Sequence, residues 1–199
     1  MLDNERARSA ASVIVDPIAK VLLWMRITPS MITVFGAVAT TTVAITCIAQ
    51  GRYLLGAILT FLFAGADAVD GTMARLSNSQ SRWGSFLDSA LDRITDGAVF
   101  AAVVWCFVSD DNTAAAIAAL IALIAGFVTS YVRAKAESLG VECKVGVAER
   151  PERVGGVMLG LFLAGIGFEV MLPVLIYLVA VLSTITVIQR FVVVRKALS

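Results

Sequence analysis

Histidine does not occur in this chain, and cysteine occurs only three times, as Cys47, Cys106 and Cys143, with no C-x-x-C pair. Without imidazole or clustered thiols, a zinc site of the usual nitrogen and sulfur ligands is excluded. The three thiols read as unpaired small hydrophobic residues. The lack of histidine also removes the commonest general base, so proton chemistry falls to aspartate, glutamate, lysine, tyrosine or cysteine. Charge is scarce as well: 16% of the 199 residues are charged and mean hydropathy is +0.88, against about 25% charged in a typical soluble domain. Such a composition belongs to an integral membrane protein. No cleavable signal peptide is expected, because Met1 to Arg8 is polar and the stretch from Ser9 lacks a long apolar core. The first spanning helix would then do the targeting. Net charge is +1, and no nucleic-acid partner is expected.

What the chain has in quantity is apolar sequence. Crossing about 30 Å of hydrocarbon takes roughly 20 helical residues, and six segments approach that length, near residues 31–50, 53–75, 85–108, 113–135, 154–169 and 171–191. The expected fold is therefore an all-α membrane bundle of six transmembrane helices over residues 28–199. Residues 1–27, with Asp16-Pro17, form an amphipathic helix at the interface. No repeat or linker divides the chain, so 1–199 reads as a single domain. Arg6, Arg8, Lys20, Arg26, Arg75, Arg82, the Arg133–Arg153 segment, Arg190, Arg195 and Lys196 fall on one side of this topology, and the other side receives Arg52. The positive-inside rule then makes both termini cytoplasmic. Gly156, Gly160 and Ala164 make a small-x-x-x-small ridge suited to close packing within the bundle.

The exception to the apolar pattern is "DAVDGTMARLSNSQSRWGSFLDSALDRITDG", Asp67 to Gly97, which holds five aspartates. An uncompensated carboxylate in a membrane helix costs about 2.5–3.5 kcal/mol, so something must compensate these. Asp67, Asp70, Gly71, Ala74 and Arg75 share one helical face, and Gly84, Asp88, Asp92 and Asp96 recur every four residues on a second. Two antiparallel helices joined by the short connection can direct both faces into one pocket at the cytoplasmic end. Oxygen-only donors suit Mg²⁺ or Mn²⁺, and this many carboxylates accommodate two ions, a common device in phosphoryl transfer. Gly71 and Ala74 let a phosphate-bearing ligand approach the backbone, and Arg75 offers a phosphate fork. A membrane cation transporter could also line a path with aspartates, and it remains the alternative from another class. The one-sided clustering of the charges counts against it.

The spacing D-x-x-D-G-x-x-A-R-x8-G-x-x-x-D-x-x-x-D, spelled by Asp67, Asp70, Gly71, Ala74, Arg75, Gly84, Asp88 and Asp92, resembles the signature of the CDP-alcohol phosphotransferases. That resemblance implies a bacterial plasma-membrane enzyme acting on CDP-diacylglycerol. Asp67, Asp70 and Asp88 would hold the metal pair. Asp92 would be the general base and would also touch a metal, while Gly71 and Arg75 would contact the donor. Asp96 lies outside the signature and reads as a partner for Arg93 or a neighbouring helix. "TPSMIT", Thr28 to Thr33, is similar to the family's T-P-N-x-x-T opening, which would bring Pro29, Ser30, Met31 and Ile32 near the nucleotide. Ser30 stands where asparagine is common, and Pro29 alone explains a helix start. Ser81, in the connecting loop, would be a further donor contact.

For the acceptor, Arg133 and Lys135 end one helix and Arg153 opens the next, so they can converge on a phosphate, a pocket to which the family resemblance adds Arg195. Positive-inside bias explains part of the same charge. Arg133–Gly140 and Gly146–Arg153 resemble the corresponding stretches of the actinobacterial phosphatidylinositol phosphate synthases within the family. This implies inositol phosphate as acceptor, membrane lipid as surroundings and a homodimer as assembly. A glycerol 3-phosphate acceptor, as in phosphatidylglycerophosphate synthases, would want the same basic pocket and is the closest rival.

Overall fold

The computed structural model describes residues 15–77, 79 and 81–199, the side chain of Asp67 excepted. Residues 1–14, Asn78 and Gln80 lie outside it, and with them most of the expected interfacial helix. Described residues are helical or irregular, with no strand among them. The helices are α1 (15–24), α2 (Pro29–Thr46), α3 (Tyr53–Ala64), α4 (Ala66–Leu76), α5 (Arg82–Ser109), α6 (Thr113–Ser138), α7 (Arg150–Gly165) and α8 (Met171–Leu198).

Four stretches are long and apolar enough to cross a bilayer: Pro29–Gln50, Tyr53–Leu76, Thr113–Ser138 and Met171–Leu198. Their outer surfaces carry large apolar side chains, among them Phe61, Ile124 and Ile188, which suits contact with lipid rather than water. This is an all-α membrane protein. The expected 53–75 segment is broken at Gly65, whose amide bonds Leu62 O three residues back at 3.2 Å. That tightened turn separates α3 from α4 and re-aims the chain just before the first signature aspartate. Helices α7 and α8 also differ from expectation. Helix α7 starts four residues early, at Arg150, and α8 runs on to Leu198, because nothing in Arg190–Lys196 opposes helix.

The chain divides into two compact units. The first contains the described residues through Thr42 and Thr60–Thr95. Helix α1 ends with Arg26 at φ 61° and bonds from Ile27 N to Leu22 O and from Arg26 N to Leu23 O, the pattern of a Schellman stop. Thr28 then caps α2, receiving Met31 N on its carbonyl at 3.0 Å, with Pro29 at the first helical position. Phe35 and Phe63 meet edge to face at 6.1 Å. A Cβ on Gly36 would stand 3.0 Å from the Ala66 Cβ, so α2 and α4 approach closely there.

The second unit contains Val43–Leu59 and Asp96–Ser199. Its core joins Val99, Phe100, Val103 and Phe107 of α5 to Val157 and Leu161 of α7 and to Leu172, Ile176 and Val179 of α8. Ala115, Ala116, Ala119 and Ala122 give α6 a slim buried edge, which permits tight helix packing in lipid. The small-residue ridge packs as read: a Cβ on Gly156 would fall 2.7 Å from Val179, and one on Gly160 would fall 3.1 Å from Leu172, both on α8. Cys47, Cys106 and Cys143 are buried free thiols.

Candidate functional site

The carboxylate cluster belongs to the first unit. Asp70 sits on the buried side of α4, 8% exposed. The Thr33 hydroxyl of α2 reaches its Oδ2 at 2.5 Å, and lies 3.1 Å from Pro29 O of its own helix. Thr33 is the last residue of the TPSMIT stretch. Its link across 37 positions is one that sequence periodicity does not reveal. Next to Asp70, the nearest described atom that a Cβ on Gly71 would meet is the Arg75 Nη1, 3.8 Å away. The absence of a side chain at Gly71 therefore leaves an open face beside the carboxylate. Arg75 folds back along α4 and donates from Nη2 to the Thr72 hydroxyl at 2.7 Å.

Ser81 is the start of α5. Its hydroxyl accepts from Gly84 N at 3.0 Å and its carbonyl from Ser85 N at 3.1 Å, the geometry of an N-cap. Asp88 and Asp92, one helical turn apart on α5, are half-buried. Arg93 Nη2 lies 3.7 Å from the Asp92 carboxylate. Among the described residues no three acidic or thiol groups gather as a metal-ligand set, and the side chain of Asp67 lies outside them. The donor chemistry nevertheless fits a hard divalent cation. Aspartate oxygens alone are available, all three thiols belong to the second unit, and the open face at Gly71 adjoins a buried carboxylate.

The cations read as an acceptor pocket belong to the second unit, and their surroundings differ from one another. Arg133 Nε pairs with Glu137 at 3.0 Å on its own helix. Lys135 is exposed in the last turn of α6, and Arg195 is exposed in the last turn of α8. Arg153 is 3% exposed. Its Nη1 donates to Ala148 O at 3.2 Å, and a Cβ on Gly126 would come within 3.3 Å of its Nε. The glycine on α6 thus makes room for the guanidinium.

Two cations in this unit escaped the sequence reading as side chains with specific partners. Arg150 Nε lies 3.3 Å from both oxygens of Asp96, which gives the fifth aspartate its neighbouring-helix partner. Arg190 of α8 is 3% exposed, and donates to Val145 O and Thr129 O, both at 2.8 Å, and to Glu149 Oε1 at 3.2 Å. Its only sequence signal is a lone cation ahead of the charged tail. In the exposed connection, Lys144 stands 2.8 Å from Glu142 and holds that carboxyl below its ordinary range.

With this geometry in place, comparison with known proteins is informative. The profile of the CDP-alcohol phosphatidyltransferase family matches residues 26–188. The phosphatidylinositol phosphate synthase of Corynebacterium glutamicum is 41% identical, the match covering 96% of this chain and 88% of that one. That of Cutibacterium acnes is 39% identical, covering 97% and 98%. Two crystal structures of Mycobacterium tuberculosis phosphatidylinositol phosphate synthase superpose with a TM-score of 0.87 at 36% identity. One has CDP-DAG bound and covers 91% of this chain and 93% of its own. The other, in complex with manganese and citrate, covers 91% and 88%. The chain belongs to the CDP-alcohol phosphatidyltransferase family.

Proposed function

We propose that this chain transfers the phosphatidyl group of CDP-diacylglycerol to a hydroxyl of inositol phosphate, releasing CMP and forming phosphatidylinositol phosphate. The observation that carries this reading is near full-length similarity to phosphatidylinositol phosphate synthases, one of them with CDP-DAG bound. The buried Asp70 beside the open face at Gly71 is what such a donor site needs.

Asp67, Asp70, Asp88 and Asp92 would hold the divalent cation, Mg²⁺ or Mn²⁺, as a pair of ions. A manganese complex of a relative supports metal use. When bound, the metal neutralises pyrophosphate charge and polarises the phosphorus under attack. Thr33 keeps the Asp70 carboxylate oriented. Arg75 forks onto a donor phosphate, and the absence of a Cβ at Gly71 lets the pyrophosphate reach the helix. Pro29, Ser30, Met31, Ile32 and Ser81 border the nucleotide in this reading. Asp92 takes the proton of the acceptor hydroxyl, a new O–P bond forms to the phosphatidyl phosphorus, and the P–O bond to CMP breaks. Arg133, Lys135, Arg153 and Arg195 hold the acceptor phosphate and keep its dianion clear of the carboxylates.

The assembly that goes with this chemistry is one domain of six spans with an interfacial N-terminal helix. In this reading it is a homodimer in the bacterial plasma membrane, with both termini and the active site cytoplasmic. Helix α5 carries signature residues at its start and apolar sequence after Gly97, and α7 is short, so both are spans by packing partner rather than by hydropathy alone. The test is CMP release from CDP-diacylglycerol by the purified chain, with inositol phosphate, free inositol, glycerol 3-phosphate and serine compared side by side. Release only with inositol phosphate is expected. Release with glycerol 3-phosphate instead would move the chain to the rival acceptor class, and no release with any acceptor would remove the transferase reading.

A further inference from the structure

The connection from α6 to α7, residues 141–149, has no regular secondary structure, yet it is fastened to α8 group by group. Val147 N donates to Gln189 Oε1 at 3.2 Å, and Ala148 N donates to Thr186 Oγ1 at 2.9 Å. Val145 O accepts from Arg190 Nε, and the Glu149 carboxylate accepts from Arg190 Nη2. Thr186, Gln189 and Arg190 stand at i, i+3 and i+4, on one face of α8. The contact is close: at Gly146, φ 152°, an added Cβ would overlap the Thr186 methyl group. Cys143 and Ala148, within this strap, are fully or almost fully buried.

Arg190 is the centre of this fastening. Its guanidinium binds three separate segments at once: the strap through Val145, the α6 backbone through Thr129 and the α7 N-cap residue through Glu149. Glu149 makes no side-chain bond to its own helix start, so its carboxylate is given to Arg190. The planar guanidinium meets its acceptors from three separate nitrogens, whereas a lysine ammonium would have to reach all of them from one. The next residues are Arg150, held by Asp96, and, one turn on, Arg153, which closes back on Ala148 O. Fixing Glu149 therefore fixes where α7 begins and where Arg153 stands.

We infer that Arg190 is a positioning residue for acceptor recognition: by clamping the 141–149 strap to α8, it sets the first turn of α7 and the place of Arg153. This rests on the reading that Arg153 and its neighbouring cations hold the acceptor phosphate. The strap contains a single tryptic bond, Lys144–Val145, next to the clamped carbonyl, so its anchoring can be read without any activity measurement.

The experiment follows trypsin cleavage after Lys144, together with donor and acceptor KM, in the full chain held in lipid nanodiscs. Arg190→Met is expected to speed cleavage about tenfold and raise the inositol phosphate KM about tenfold, with the CDP-diacylglycerol KM within about twofold. Arg190→Lys should fall between Arg190→Met and the unchanged chain in both readouts. Thr186→Val, which keeps the side-chain shape and loses the Ala148 tie, should move both in the same direction by a smaller factor and serves if Arg190→Met does not fold. Unchanged cleavage in these variants would overturn the clamp. Faster cleavage with an unchanged acceptor KM would overturn its role in recognition. An Arg153→Ala chain with normal acceptor KM would instead sink the acceptor-pocket reading, and the cleavage result would still stand by itself.

Discussion

In the first unit, the groups given chemical roles sit beside small residues or at half-buried or exposed positions. Asp70 adjoins Gly71, Arg75 lies along the helix surface, and Asp88 and Asp92 are half-buried on α5. In the second unit, Arg190 is 3% exposed and binds two backbone carbonyls. A buried guanidinium bonded to carbonyls holds elements in place, and stripping one partner leaves costly unsatisfied groups. A carboxylate beside a missing side chain leaves room for a ligand instead. The difference teaches that charge counts by themselves do not separate ligand-binding residues from architectural ones. The bonding of each charge does.

The largest expected effects come from the first unit. Asp70→Asn or Asp88→Asn should abolish CMP release and weaken Mn²⁺ binding measured by titration calorimetry, because an amide gives a neutral oxygen where negative charge is needed. Asp92→Asn should abolish turnover too, yet leave CDP-diacylglycerol binding largely intact, since the general base acts on the acceptor. Near-normal turnover in all three would end the assignment of chemistry to this unit.

Next in size is Thr33→Val, which removes the hydroxyl from Asp70 while keeping the side-chain shape. Turnover should fall about tenfold and Mn²⁺ affinity should drop with it, as found when groups behind metal ligands are removed, and Thr33→Ser should restore most of both. A smaller effect is expected of Asp96→Asn. It breaks the pair with Arg150 and should lower the melting temperature by about 2–4 °C while activity stays above half. Loss of metal binding in Asp96→Asn would return the fifth aspartate to the ligand set and blur the contrast between units. Smallest is Glu142→Gln: both it and its partner Lys144 are exposed to solvent, and activity should stay within about 1.5-fold.

The helical class and membrane setting were legible because apolar runs of the required length are a direct demand of the bilayer. The helix start at Pro29 and the small-residue ridge on α7 were also readable, as each depends on local chemistry. The break at Gly65 was not, because no proline marks it and the sequence before it is almost uniformly apolar. Spacing alone pointed to the aspartates, since the helical period gathers them on two faces. The Thr33–Asp70 contact and the Arg190 clamp join residues 37 and 41 or more positions apart, and no local pattern encodes such pairings. Arg190 also looked like topology-setting charge, being the first cation of a basic tail.

The account's central claim is that the two sets of charges serve different substrates. It is tested most directly by measuring both KM values for Arg75→Ala and Lys135→Ala under the same conditions. The account predicts a crossed pattern: Arg75→Ala raises the CDP-diacylglycerol KM about tenfold and leaves the inositol phosphate KM alone, and Lys135→Ala does the reverse. Both variants moving the same KM, or neither moving one, would contradict it.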